Sequence, residues 1–360
     1  MLHVPVVPTE AKQCRSSSLL VAHNKKGRLP IGCVASLLLY SIIFGAIFDR
    51  PLSLGFLRHQ IDTKLARATT ITGPKLVILA GSNAPYSHRC ETIEPILGMP
   101  CVNGGVAVGV GLDYLFARWK PLLHAGDILY LPMEEEQYAR TRAATDVGPD
   151  AAIMFRHDRR TLFTLAPERW LGALFSFDLR AAVMSPIEAV MVAAHFHDPR
   201  PEATGATNAW GDHVGHTAQL AMTNQAVLAN ATPQHVSAAQ VRMGYGSALI
   251  AEFTRWAAAH DVHVIGGLPT EFADSPMPDT TLQAIRDLYR ANGGEFLELP
   301  NLSRYPRTAF FDSVEHLNET WQIEHSKLLA AQLRWIRAPI ATAHQAGPAD
   351  TPAPRSTPTN

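Results

Sequence analysis

Charged side chains are few in this 360-residue chain: Asp, Glu, Lys and Arg together make up 18%, and they nearly cancel at −1. That lack excludes the basic footprint by which a protein grips nucleic acid. The near-neutral sum conceals an asymmetry. Residues 1–28 carry +4 (Lys12, Arg15, Lys25, Lys26 and Arg28 against Glu10), which leaves −5 on the remainder. Cysteine is also scarce, at four residues. Cys14 and Cys33 lie near the N-terminus, so Cys90 and Cys101 are the pair available to the body. A disulfide between them and two buried thiols both stay open. Neither HExxH nor a paired CxxC occurs, so the usual zinc signatures are missing. His195-Phe196-His197 and Asp212-His213-Val214-Gly215-His216 lack ligand spacing and read as loop, so no metal and no cofactor is expected.

What the chain does have is apolar residues, 47% of the total, enough for a sizeable core. One run of twenty residues without a charge, Leu29 to Phe48, is ~30 Å long as a helix, the thickness of a bilayer's hydrocarbon core. It ends in Ala46-Ile47-Phe48-Asp49, a poor signal-peptidase site, so an uncleaved transmembrane signal anchor is expected. Lys25, Lys26 and Arg28 crowd its N-terminal flank, which favours a cytoplasmic tail over 1–28 and a body outside. The expectation is a single-pass inner-membrane protein with its body in the periplasm.

After a linker over 49–71, short apolar runs alternate with helical spacing. Lys75–Ala80, Pro100–Asn103, Ile128–Pro132, Val262–Leu268 and Glu295–Leu299 read as buried strands. Ser87–Leu97, Leu112–Leu122, Ala238–Ala259, Thr280–Ala291 and Thr320–Leu333 read as helices. Thr161–Phe177 and Leu179–Ala194 read as helices in a middle region, about 140–235, that breaks the alternation. Such alternation predicts an α/β domain over 72–337 with a mostly parallel sheet covered on both faces. From 338 to 360 the Ala-, Pro- and Thr-rich sequence predicts a disordered tail.

Two short segments carry chemistry. Gly81-Ser82-Asn83 follows the first strand, where parallel α/β sheets gather their ligands, and sets a hydroxyl at a strand-to-helix turn. Asp312-Ser313-Val314-Glu315-His316 precedes the last helix. A Ser hydroxyl needs a base to become a nucleophile, His suits that work near neutrality, and a carboxylate orients it.

VILAGSNAPYS, CVNGGVAVGVGLDYLF, LYLPMEEEQY and FFDSVEHLN together resemble the successive blocks of the SGNH (GDSL-like) hydrolase family, over about 73–135 and 262–333. The similarity is to the divergent branch associated with bacterial exopolysaccharide and cellulose synthesis. The resemblance implies a three-layer flavodoxin-like SGNH fold and a catalytic Ser82, His316 and Asp312. It implies an oxyanion hole from Ser82 and Gly105, with Asn83 or Asn103 in place of the family's missing Gly-x-Asn-Asp donor. Three departures stand out. Gly81 replaces the usual Asp, LPMEEEQY replaces the Asn block, and three residues rather than two separate Asp312 from His316, with Glu315 the other acid available. Glu134, Glu136 and Trp210 are expected to line a substrate groove.

The implied activity is an extracytoplasmic O-acyl esterase or acyltransferase on an exopolysaccharide, cellulose foremost. Its implied partners are the polysaccharide or acyl-ester substrate, a cellulose synthase or export complex and an acyl-donor protein. Two other classes remain: a non-catalytic glycan-binding or scaffold protein of an export complex, and a general SGNH lipase or thioesterase.

Overall fold

The computed structural model describes residues 28–47, 52–176, 179–197 and 205–345, which fall into two units divided after Ala46. In the first, Arg28–Ile47 is a 20-residue helix. Its side chains are described over 30–42, where all but Tyr40 are exposed. Among the described residues no helix is long and apolar enough to cross a membrane. The tail 1–27 lies outside them.

The second unit is an α/β body. Its central sheet contains β1 (Leu76–Ile78), β2 (Cys101–Asn103) and β3 (Ile128–Leu131), joined later in the chain by two more strands. Between them come a small antiparallel hairpin, β4 (Ala206–Thr207) with β5 (His213–Val214), and then β6 (His263–Gly266) of the main sheet. β7 (Glu271–Phe272) pairs in parallel with β9 (Arg304–Tyr305), and β8 (Glu295–Phe296) closes the main sheet. The order is β2-β1-β3-β6-β8, with every pairing parallel. Leu76, Val77 and Ile78 are wholly buried, as continuous apolar runs are when helices cover both faces of a sheet. The strand order reverses between β1 and β3, which opens a crevice beyond their carboxyl ends.

Several segments depart from expectation. The linker over 49–71 is instead the helix Ser53–Thr70, with Ile61, Leu65 and Ala68 packed into the core. Those residues recur at i, i+4 and i+7, but charged neighbours dilute the pattern. The single helix expected over Ala238–Ala259 is two, Ala238–Met243 and Tyr245–Ala258. Gly244 joins them where a Cβ would stand 2.0 Å from the Tyr138 carbonyl, so the helices approach that backbone only through a glycine. The helix expected over Thr161–Phe177 is likewise two, Arg159–Leu162 and Pro167–Phe175, the second starting with proline at its first turn. The closing helix runs from Glu319 to Gln345, past the expected start of the tail at 338; residues 346–360 lie outside the described ones. Cys90 and Cys101 form a disulfide with Cα atoms 5.2 Å apart, tying the helix Cys90–Leu97 to β2.

Candidate active site

β1 hands the chain to a tight turn that presents Ser82. The residue precedes the helix Asn83–Ser87, yet its side chain makes no capping bond, so the hydroxyl is left to the cavity beyond. Gly81 is required here by crowding: a Cβ on it would lie 2.5 Å from Glu134 Oε1. Glu134, just beyond the end of β3, therefore fills the space beside the turn. Gln137 Oε1 accepts both the Gly81 and the Glu134 N–H groups, at 3.0 and 3.1 Å, and binds the two strand ends together. Neighbouring parallel strands thus deliver the Ser82 and Glu134 side chains to one point.

His316 comes from the far end of the sequence and is held from three sides. Its Nδ1 lies 2.7 Å from Asp312 Oδ1, so the three-residue separation still brings the acid to the imidazole. Its ring stacks on Tyr86 at 4.0 Å with an 8° tilt, and His213 stacks on the opposite face of the same tyrosine at 4.1 Å. Beneath it, the hydroxyls of Ser87 and Thr270 each lie 2.8 Å from the Glu315 carbonyl, clamping the loop to the helix Asn83–Ser87 that follows Ser82. Burial would raise Asp312, but the hydrogen bond and charge of His316 hold its carboxyl below the usual range. Burial pushes the phenol of Tyr86 far up, so that ring stays neutral.

Ser82 and His316 line one cavity of about 680 Å³, together with Glu134, Glu136 and Glu315. Among the described residues no direct Ser82–His316 hydrogen bond occurs. The Ser82 hydroxyl finds Glu134 Oε1 at 3.5 Å, while the same oxygen accepts the Asn83 N–H at 2.7 Å. Glu134 also hydrogen-bonds the side chain of Glu315. Burial raises both carboxyls, Glu315 well above its ordinary range because the Glu134 charge adds to the effect. Two carboxyls in such contact share a proton.

The expected oxyanion donors fare differently. Gly105 packs against the turn, where a Cβ would be 2.3 Å from Ala84 Cβ and 2.9 Å from the Gly81 carbonyl. Its own carbonyl accepts the buried Lys64 Nζ. The Asn103 amide is wholly buried and donates to the carbonyls of Ala84 and His88 and to Asp212, so it cannot turn to a substrate. The Asn83 side chain is spent on Pro132 and Thr270, which leaves its backbone N–H as the group facing the cavity's edge, and Glu134 already holds that. Trp210 is not at the cavity. Its indole donates to Glu94 at 2.9 Å and its ring lies under Arg67, which makes it a packing residue at the β2 edge. Glu136 does line the cavity, paired with Arg140 at 3.2 Å.

The sequence alone does not mark Tyr86, Gln137, Thr270 or the Glu134–Glu315 pair, since each gains its meaning from a partner distant in the chain. The same holds for Glu135, His235 and Glu271, the one group among the described residues whose ligand atoms could meet a cation. There His235 is already engaged by Glu135 at 2.9 Å and Ser275 at 3.1 Å, and Glu271 by Arg304. His213 and His216 are buried around Tyr86, while His195 and His197 are exposed. Family models, curated proteins and solved structures were compared with this chain, and none matches.

Proposed function

We propose that the chain is an extracytoplasmic O-acyl esterase or acyltransferase of the SGNH type, held to the inner membrane by residues 29–48 and acting on a neutral exopolysaccharide such as cellulose. One observation carries this reading: a strand-end Ser82 and an Asp312-oriented His316 open into the same cavity at the switch point of a parallel sheet. The strand order β2-β1-β3-β6-β8 is also the order of a flavodoxin-like sheet.

In the proposed reaction the Ser82 oxygen attacks the acyl carbonyl and its proton passes to His316, whose imidazolium Asp312 steadies. The Ser82 and Gly105 N–H groups hold the oxyanion. Collapse expels the alcohol, which takes the proton back from His316 and leaves an acyl-Ser82. Water or a sugar hydroxyl then takes the acyl group by the reverse sequence. Five glutamates line the cavity (Glu134, Glu135, Glu136, Glu271 and Glu315), facing Arg140 and His316. Carboxylates accept bonds from sugar hydroxyls and repel anionic lipid headgroups, which sets the polysaccharide above a general lipase reading.

One rival has an observation of its own. With Glu134 on the Asn83 N–H and no Asn block, a non-catalytic glycan-binding protein would need none of the oxyanion machinery. Fluorophosphonate labelling and p-nitrophenyl acetate hydrolysis separate the two. The esterase reading expects both in the wild type and neither in Ser82→Ala. Equal inertness of the two proteins with retained cellulose binding would establish the rival. Acyl content of the exported polysaccharide, wild type against Ser82→Ala, tests the substrate. A reporter fused after Phe48 that works only in the cytoplasm would overturn the topology.

A further inference from the structure

The helix Ser53–Thr70 packs Ile61, Leu65 and Ala68 into the core, and beside them it buries an amino group, that of Lys64. Burying such a group costs stability that a Met or Leu in its place would not. Gly211, in the turn between β4 and β5, leaves room for the lysine's stem: a Cβ there would stand 2.9 Å from Lys64 Cγ. The same turn is fastened to β2, since the Trp210 carbonyl accepts the Asn103 N–H at 2.8 Å. Asp212, whose charge acts on the lysine, is already bound by the N–H groups of Cys90 and Glu91 and by the side chains of Asn103 and Asn208. The hydrogen bond that Lys64 Nζ makes goes instead to the Gly105 carbonyl.

That bond completes a set of three on successive residues. The Gly104 N–H donates to the Ile78 carbonyl at 2.8 Å and the Val106 N–H to the Ala80 carbonyl at 3.3 Å, with Lys64 on the Gly105 carbonyl between them. The donor left over is the Gly105 N–H. It belongs to a buried residue and meets no acceptor among the described residues. Buried N–H groups rarely stay unpaired, so this one calls for an acceptor that arrives with a ligand. The Ser82 N–H likewise meets no acceptor among the described residues, and Gly105 packs against the Ser82 turn. We infer that Lys64 is a positioning residue: by holding the Gly105 carbonyl it aims the Gly105 N–H at the oxyanion formed on Ser82. This rests on the esterase reading above. Ammonium and amine both donate to a carbonyl, so the hold outlasts the loss of the lysine's proton. The helix Ser53–Thr70 thereby becomes part of the reacting site as well as a cover for the sheet.

The test compares p-nitrophenyl acetate hydrolysis by the full chain with its inhibition by a trifluoromethyl ketone. The Ser82 oxygen adds to the ketone carbon, its proton passes to His316, and the ketone oxygen becomes a stable oxyanion in the same place. Lys64→Met should lower kcat by about 10–100-fold, the scale of an ångström's misplacement, with KM within about twofold. Affinity for the ketone should fall by the same factor as kcat. Leu65→Ala, at the next buried position of that helix, loosens packing without touching Gly105 and should change neither. Should Lys64→Met not fold, Lys64→Gln, whose stem is too short to reach the carbonyl, takes its place with the same expectations. Wild-type kcat in the Lys64 variant overturns the inference and leaves the esterase reading standing. An equal kcat loss in Leu65→Ala overturns it too, since loosened packing then explains the effect. So does a loss of kcat with ketone affinity unchanged, which places the lysine's influence away from the oxyanion. An inert wild type removes the esterase reading and the inference together.

Discussion

Glu134 Oε1 accepts the backbone N–H of Asn83 at 2.7 Å, so a carboxyl occupies a donor next to the proposed nucleophile. A fixed negative charge there would oppose an oxyanion growing on a bound ester. The contact with Glu315 moderates this. Burial raises both carboxyls, and the pair keeps a proton at pH values where separate carboxylates have lost theirs. As pH rises that proton leaves, and the second charge arrives beside the reacting carbonyl. The kcat/KM of the wild type should therefore decline on its alkaline side. Glu134→Gln, with no charge to gain, should lose that decline while keeping activity within about tenfold at neutral pH. A pH–rate profile with p-nitrophenyl acetate reads both. A loss beyond ~100-fold at every pH would instead make Glu134 the acceptor of the Ser82 proton.

Asp312 and Glu315 flank His316 and have different work. The 2.7 Å contact with Nδ1 belongs to Asp312, whereas the Glu315 side chain meets Glu134. Asp312→Asn should lower kcat by ~10⁴, the loss found when a triad's acid is neutralised. Glu315→Gln should lower it by less than about tenfold, because a neutral Gln still hydrogen-bonds Glu134. Single-turnover rates on an activated acetate ester compare them directly. The reverse ranking would transfer the orienting role to Glu315.

The parts of the site that are legible in the sequence have local signals. Ser82 follows a five-residue apolar run, Leu76–Ala80, through a glycine, and His316 has its acid four residues away, so both can be named before any contact is known. The buried strands are legible for the same reason, since a short apolar run bounded by turn residues has few other uses. Their order is not, because an apolar run does not state its neighbour. Nor can the sequence show that Gly81 makes room for Glu134, or that Tyr86 carries His316. Trp210 misleads for a related reason: a loop tryptophan suits a sugar ring as well as it suits Arg67 and Glu94, and only the packing at β2 decides. The helix Ser53–Thr70 is hidden because its buried face includes a lysine, Lys64.

The Cys90–Cys101 disulfide closes a short loop, with eleven positions separating its ends. Restricting the unfolded chain over such a loop contributes roughly 3 kcal/mol on the chain-entropy model. The double substitution Cys90→Ala and Cys101→Ala should lower unfolding free energy by about 2–3 kcal/mol, since both side chains are fully buried and alanine fits without strain. Urea denaturation of the two proteins, with and without a reductant, measures it. The wild type should lose the same amount on reduction, and the variant should be indifferent to reductant. A variant as stable as the wild type would mean that the bond adds nothing to the packing around β2.

Lys64 lies under the Ser82 turn with 1% of its surface exposed, donating to the Gly105 carbonyl. Burial drives its pKa down to about 7, and the nearby Asp212 charge offsets only part of that. In the unfolded chain the same ammonium titrates near 10.4. Between these values the unfolded state holds a proton that the folded state has released, so raising pH favours folding. The destabilising contribution of Lys64 is complete below pH 7, shrinks through that window and vanishes above it. Lys64→Met has no such proton. The stability of the wild type relative to Lys64→Met should therefore increase by up to about 1.4 kcal/mol per pH unit between pH 7 and 10, and be flat below 7. Urea titrations of both proteins at pH 6, 7, 8 and 9 give the slope. A constant difference across that range would show that the ammonium stays protonated on the Gly105 carbonyl. The loop behind Ser82 would then be held by a permanent charge.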